Sequence, residues 1–275
     1  MSTEVLSAVS PDFSTVPAFA IAFQPIVDVA NRSVMAYEAL TRGVQGVSYP
    51  ELIASMDSAM RRRFDLATAD HMIRRSLELG LLDSDARLCI NIEPEIEKGA
   101  LSAAFIREST DRHGMPRNRV VLELTENHKV SAEVLRQMMT ENENSGFATA
   151  MDDFGAGYAG LSMLAECRPQ ILKLDRALVQ GIDHCDTRQK LVRAFANVCQ
   201  SLGMEMVAEG VETRAEYVKL RRIGIRYMQG YLFARPEVDA LPQPNWEALR
   251  SAKSQAQLLP RIGAWMQCEP ITLPA

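Results

Sequence analysis

Apolar runs of strand length recur along the chain, and from the second onward stretches with helical periodicity separate most of them. The strand-like runs are "AIAFQPIV" (20–27), "SVMAYEAL" (33–40), "RLCINI" (87–92), "RVVLEL" (119–124), "FATAM" (147–151), "QILKL" (170–174), "MEMVAE" (204–209) and "RYMQG" (226–230). Helical patterns include "FDLATADHMIRRSLELGL" (64–81), "SAEVLRQMMTENENSG" (131–146), "QKLVRAFANVCQSLG" (189–203) and "TRAEYVKLRRIG" (213–224), the last three closing on a glycine that suits a helix C-cap. Eight strands alternating with helices predict an α/β fold, a TIM (β/α)₈ barrel. Only "DVANRS" (28–33) joins the first two strands, too short for a helical crossover, so the barrel is a modified one with an antiparallel first strand. Residues 1–18 read as a loosely held leader, 19–259 as one domain and 260–275 as a tail, with "NWEALRSAKSQAQLL" (245–259) a final helix.

Composition narrows the function. The 275 residues are 47% hydrophobic, enough for a sizeable core, and a formal charge of −5 gives no basic footprint for duplex nucleic acid or an anionic membrane. The longest apolar runs, such as "AFAIAF" (18–23), are too short to span a bilayer, and the N-terminus lacks the design of a signal peptide, which predicts a cytoplasmic protein. Leader residues 1–18 leave no room for a second signalling domain, so control is expected through oligomerisation, a partner or expression. Five cysteines without a C-x-x-C pair read as buried free thiols, not as a disulfide framework or zinc site.

Gly155-Ala156-Gly157-Tyr158-Ala159-Gly160 matches the dinucleotide pattern G-x-G-x-x-G, with a strand before it, a helix-like run after it, and Asp175 placed where a ribose-binding acid would lie. Asp152 and Asp153 stand at the mouth of that loop, where their charge would repel a pyrophosphate. The remaining strands carry polar residues at matching places: Glu38 near the end of the second, Asn91 on the third, Glu123 on the fourth, Lys173 and Asp175 on the sixth, Glu209 on the seventh and Gln229 on the eighth. Such ends converge on the C-terminal face of a barrel, where barrel active sites are built. Six acids in one mouth (Glu38, Glu123, Asp152, Asp153, Glu209, Glu212) cannot all stay ionised without cations. The donors are oxygens, and His71, His113, His128 and His184 lie away from the strand ends, which suits Mg²⁺ or Mn²⁺ better than zinc. Adjacent Asp152 and Asp153 suit a pair of ions clamping a phosphodiester. Bland readings compete for some residues: Asp175 and Glu212 as helix caps or solvated acids, Lys173 as a structural counter-ion, and Arg61-Arg62-Arg63 as a solvated face.

The series "YEALTR" (37–42), "CINIEPE" (89–95), "ELTE" (123–126), "DDFGAGY" (152–158), "KLD" (173–175), "EGVE" (209–212) and "QGYLFARP" (229–236) resembles the signature motifs of EAL domains, the phosphodiesterases of the bacterial messenger cyclic di-GMP. The resemblance covers roughly residues 20–255. It implies hydrolysis of cyclic di-GMP to linear 5′-pGpG, with Glu38, Asn91, Glu123 and Asp152 holding one divalent cation, Mg²⁺ or Mn²⁺, and Asp152 with Asp153 a second. It further implies Lys173 as the holder of the attacking water, Glu209 as general base, Arg42 and Gln24 as substrate contacts, and Glu126, Glu212, Gln229 and Asp175 as supports of the loop and the ligands. A two-fold homodimer with loop 153–160 near its interface is implied as well. Thr41, Glu93, Ala156, Ala159 and Gly160 depart from the family's usual residues, and none removes a ligand. The rival reading is an EAL-like domain that binds cyclic di-GMP or a protein partner without turnover.

Overall fold

The structure, a computed structural model, describes residues 16–44, 47, 49–54, 56–92, 103–125, 131–156 and 160–249. Strands β1 (Phe19–Asp28) and β2 (Ser33–Gly43) form a long antiparallel hairpin, with partners running from Phe19 opposite Gly43 to Asp28 opposite Ser33. Asp28 builds its turn: the carboxylate accepts from the amides of Ala30 (3.0 Å) and Asn31 (3.1 Å), and Arg226 pairs with it from across the sheet. Strands β3 (Arg87–Ile92), β4 (Val120–Thr125), β5 (Ala148–Phe154), β6 (Ile171–Leu174), β7 (Glu205–Ala208) and β8 (Tyr227–Met228) then add in parallel. Because β1 pairs antiparallel with both β2 and β8, the sheet closes into an eight-stranded barrel whose first strand runs against all the others. A two-residue strand β9 (Glu237–Val238), which the sequence pattern does not reveal, borders β1 at Ala22 and Phe23.

Helices α1 (Tyr49–Ala54), α2 (Ser58–Glu78), α3 (Ala103–His113), α4 (Ala132–Asn144), α5 (Gly160–Cys167), α6 (Arg176–Val179), α7 (Asp186–Leu202) and α8 (Arg214–Ile223) alternate with the strands. Strands packed under helices on one side and against the barrel axis on the other read as near-continuous apolar runs, and β4 is buried over Val120–Leu124. Two cores result. The larger lies between sheet and helices; the smaller, formed by Ile26, Ala36, Cys89, Val121, Ala150, Ile171 and Val207, fills the barrel interior.

Several boundaries differ from the sequence pattern. Helix α2 starts before Phe64, because Asp57 caps it through the Met60 amide (2.7 Å), so Arg61–Arg63 lie inside it. Arg61 is bonded to Asp65 and Tyr49 and is therefore more than a solvated charge. Of the expected final helix, residues 245–249 fall among the described residues, and Trp246–Leu249 form a 3₁₀ turn. Cys89, Cys167 and Cys199 are buried and outside any disulfide, whereas Cys185 is disulfide-bonded and departs from the reading of the cysteines as thiols. No helix among the described residues is long and apolar enough to cross a membrane.

Candidate active site

Strand alternation builds the site. Two residues beyond each member of the apolar barrel layer, toward the same end of the barrel, comes a polar residue facing the same way. Above Ala36 stands Glu38; above Cys89, Asn91; above Val121, Glu123; above Ala150, Asp152; above Ile171, Lys173; above Val207, Glu209; and above Tyr227, Gln229. On β1, which runs the other way, the step is backward, from Ile26 to Gln24. All eight strands thus place one polar residue in a single layer over one apolar layer.

Lys173 is the centre of that layer. It is 1% exposed, and its Nζ lies 3.0 Å from Glu123 Oε2, 3.0 Å from Asp152 Oδ1, 2.8 Å from Glu209 Oε1 and 3.7 Å from Glu38 Oε2. Burial alone would pull its ammonium pKa down, but the charges of Asp152, Glu123, Glu209 and Glu38 outweigh it and lift the pKa well above the usual value. One ammonium does not balance four carboxylates. Burial pushes Glu123 up to about 8, Asp152 upward, and Asp153 up to about 6 with help from Asp152. Glu209 rises well above the carboxylate range through burial and the charge of Asp152. Glu38 is the exception: burial raises it, yet Lys173 and the amides of Gln229 (2.6 Å) and Asn91 (3.1 Å) more than offset that, so it is lowered.

Side chains of adjacent strand residues face opposite ways, so the sequence leaves open how Asp152 and Asp153 share one mouth. The β5–β6 register slips between Met151 and Phe154, and Asp153 takes a left-handed φ of 55°, a conformation that aspartate tolerates. Its amide donates to Asp152 Oδ1 (2.9 Å). Gly155 follows with φ 101°, where a Cβ would sit 2.4 Å from Leu178 Cδ1. The chain must therefore turn on a glycine directly after the acid pair.

The acids fall into two groups with one member in common: Glu38, Glu123 and Asp152, and Asp152, Asp153 and Glu209, each offering oxygens within 4.8 Å of one another. Every donor is a hard oxygen, and the buried Glu123 Oε1 has no hydrogen-bond partner among the described residues, so the set fits divalent cations of the Mg²⁺ or Mn²⁺ type.

The other predicted residues sit around this layer. Arg42, on β2, bonds the Thr41 carbonyl (3.0 Å) and is near enough to Glu38 to help lower it. Gln24 is 8% exposed, and its amide is engaged inside the protein, donating to the Ala234 carbonyl (3.1 Å) and accepting from Gln229 (3.2 Å). Asp175 caps α6 through the Ala177 amide (2.7 Å), and Glu212 is exposed and paired with Arg176 (3.0 Å). Glu126 and residues 157–159 lie outside the described residues. Sequence reasoning missed Glu216, which is buried and accepts from the amides of Gly181 (2.8 Å), Glu212 (3.1 Å) and Thr213 (2.9 Å), tying the loop after Glu209 to the start of α8. The capping-box spacing Thr213-x-x-Glu216 was a signal for it.

The sequence matches the EAL domain family over residues 12–236. Among curated proteins it is 29% identical over 240 residues to the blue light- and temperature-regulated antirepressor BluF of Escherichia coli, covering 82% of this chain and 56% of that protein. The chain spans about half the length, or less, of the first curated relatives it matches. A standalone EAL protein of Vibrio cholerae, solved in its c-di-GMP-bound form, is 32% identical, with TM-score 0.78 over 85% of this chain and 98% of that one. The manganese/cyclic di-GMP complex of Klebsiella pneumoniae BlrP1 is 33% identical, with TM-score 0.75 over 84% of this chain and 59% of that one. The match over most of the chain, together with the closed barrel and its antiparallel first strand, establishes that this protein belongs to the EAL domain family.

Proposed function

We propose that the protein hydrolyses cyclic di-GMP to linear 5′-pGpG in the cytoplasm, as a homodimer that uses two divalent cations, Mg²⁺ or Mn²⁺. The observation that carries this reading is the inward layer itself: two oxygen-donor groups meet at Asp152 beside a buried lysine. Relatives named as cyclic di-GMP phosphodiesterases and neighbours solved with cyclic di-GMP and manganese support it. Glu38, Asn91, Glu123 and Asp152 would hold one cation, and Asp152 with Asp153 the other. Bound cations would neutralise the acids and the phosphate and lower the pKa of water.

The chain's own groups supply the rest. Lys173 donates to the water that attacks phosphorus and fixes its direction, while Arg42 steadies the phosphate. Glu209, ionised once bound cations offset the burial and the charge of Asp152 that hold its proton on, would accept the water's proton. A new P–O bond forms as the bond to a ribose O3′ breaks, leaving a 5′-phosphate and a free 3′-hydroxyl. Incubating the protein with cyclic di-GMP and Mn²⁺ or Mg²⁺ should yield pGpG on chromatography. EDTA should abolish the product, and full activity in chelator would refute the reading. The antirepressor BluF, similar over 82% of this chain, favours one other outcome, no product from cyclic di-GMP, which would make the domain a receptor or a protein-interaction module without turnover.

A further inference from the structure

Gln24 and Gln229 are consecutive links between a backbone carbonyl and Glu38. The Gln24 Nε2 donates to Ala234 O (3.1 Å), and its Oε1 accepts from Gln229 Nε2 (3.2 Å), which also donates to Glu38 Oε2 (2.6 Å). Both ends of this chain are acceptors: Ala234 O is a carbonyl, and Glu38 accepts from Asn91 Nδ2 at its other oxygen (3.1 Å) and faces Lys173 Nζ (3.7 Å), as a carboxylate does. A flipped Gln229 would put oxygen against oxygen at Glu38, and a flipped Gln24 would do the same at Ala234. One orientation of each amide satisfies both ends. Its consequence is visible: Gln229 Oε1, turned away, is buried without a hydrogen-bond partner among the described residues.

From this geometry we infer that Gln24 is a positioning residue, not a substrate contact: it locks the Gln229 amide in the orientation that presents N–H to Glu38. Both of its polar atoms already hold protein partners, and it is 8% exposed, so a ligand would have only the one N–H and the one lone pair that these links leave over. The antiparallel first strand makes this possible. It lets β1 place Gln24 in the same layer as Glu38, its register partner on β2, and beside the end of β8. The carbonyl of Ala234, just past β8, sets the direction of the whole chain. Without Gln24 only Glu38 would hold the Gln229 amide in that orientation, and the donor would be free to follow Glu38 into other rotamers.

The consequence for metal rests on the proposed role of Glu38; the amide lock itself does not. In metal-free protein, the Gln229 side-chain amide should show slow hydrogen exchange by ¹⁵N NMR, and Gln24→Leu should speed it at least tenfold while the backbone spectrum elsewhere stays that of the folded protein. Fast exchange in the wild type would overturn the lock whatever the site binds. For the consequence, Mn²⁺ titration without substrate should show Gln229→Met weakening binding by about 10–100-fold, the usual effect of losing a residue that orients a ligand, and Gln24→Leu by about tenfold. In the Gln229→Met background, adding Gln24→Leu should cost almost nothing further. Fully additive losses, or Gln24→Leu leaving Mn²⁺ binding intact while raising KM for cyclic di-GMP, would overturn the inference in favour of a substrate contact. Absence of Mn²⁺ binding by the wild type would count against the metal reading and leave the exchange result to judge Gln24.

Discussion

Replacing Lys173 by methionine should turn the polar layer from a balanced site into a liability. The two side chains have similar volume, so packing changes little and the effect isolates the charge. Lys173 lies within 3.0 Å of Glu123, Asp152 and Glu209, and it is 1% exposed. Removing one partner of a buried ion pair typically costs about 3–5 kcal/mol, because the remaining charge is left without compensation. Protonation limits that cost. Glu123 already binds its proton up to about 8, and without the ammonium it and its neighbours would hold protons more tightly still. Between the ordinary carboxylate range and their raised folded pKa values, these acids bind more protons in the folded variant than in the unfolded chain, so stability falls as pH rises through that window. Each unit of pH costs about 1.4 kcal/mol per group that stays protonated only in the folded state. Urea denaturation in EDTA, followed by circular dichroism, should therefore show Lys173→Met losing about 3–5 kcal/mol at pH 8 and roughly 1 kcal/mol at pH 5. Excess Mn²⁺ should recover part of the loss at pH 8. A loss below about 1 kcal/mol at pH 8, or the same loss at both pH values, would refute the view that Lys173 balances the acids.

Asp152 and Glu209 look interchangeable in sequence, yet they should separate in assay. Asp152→Asn should weaken Mn²⁺ binding and substrate affinity together, because Asp152 is the acid common to both groups. Glu209→Gln should keep most metal-dependent affinity for cyclic di-GMP by calorimetry while its single-turnover rate falls by about 10²–10⁴; near wild-type turnover would place the base elsewhere. Gly155→Ala forces a side chain into φ 101° and against Leu178, so a loss of roughly 1–3 kcal/mol and a lower Tm are expected, and an unchanged Tm would show that the turn can relax. Asp28→Asn should lower stability by about 1–2 kcal/mol at neutral pH, discounted because Arg226 is half exposed. Burial raises the Asp28 pKa, but Arg226 and the two turn amides lower it overall, so its contribution is present above the ordinary aspartate value and lost as pH falls through the lower, folded one. The wild type and variant should thus converge as pH falls below the ordinary aspartate range, and a constant gap would point to a cause other than charge.

The barrel was legible because its strands bury both faces and appear as compact apolar runs, and because a six-residue link between the first two excluded a crossover. Boundaries were less so. The sequence places Glu38 near a strand end, whereas β2 continues to Gly43, because its last residues pair with β1 beyond the point where the parallel sheet stops. Helix α2 extends back to Ser58 because a single cap, Asp57, outweighs three consecutive arginines that looked like the start of a polar face. Strand β9 is two residues held by β1 alone and has no periodicity to read.

The candidate site divides along the same physical line. Residues that alternate with apolar neighbours on a strand announce their direction, which is why Glu123 and Lys173 could be placed inside from sequence. The glycine loop shows the limit of local pattern: β5 precedes it and α5 follows it, as a dinucleotide loop would require, so the surroundings of Gly155 in sequence cannot separate the two readings. The separation comes from other strands, whose inward residues surround the same mouth with carboxylates. Gln24 is the harder case. Its direction is as readable as that of Glu123, but what its amide touches depends on Ala234, 210 residues away in the chain. A strand's alternation fixes where a side chain points; only closure of the barrel fixes which hydrogen-bonding atoms remain for a ligand. Polar residues facing a barrel mouth therefore divide into those free to bind and those consumed in orienting their neighbours, and that division follows from long-range pairing, not from the motif in which each residue sits.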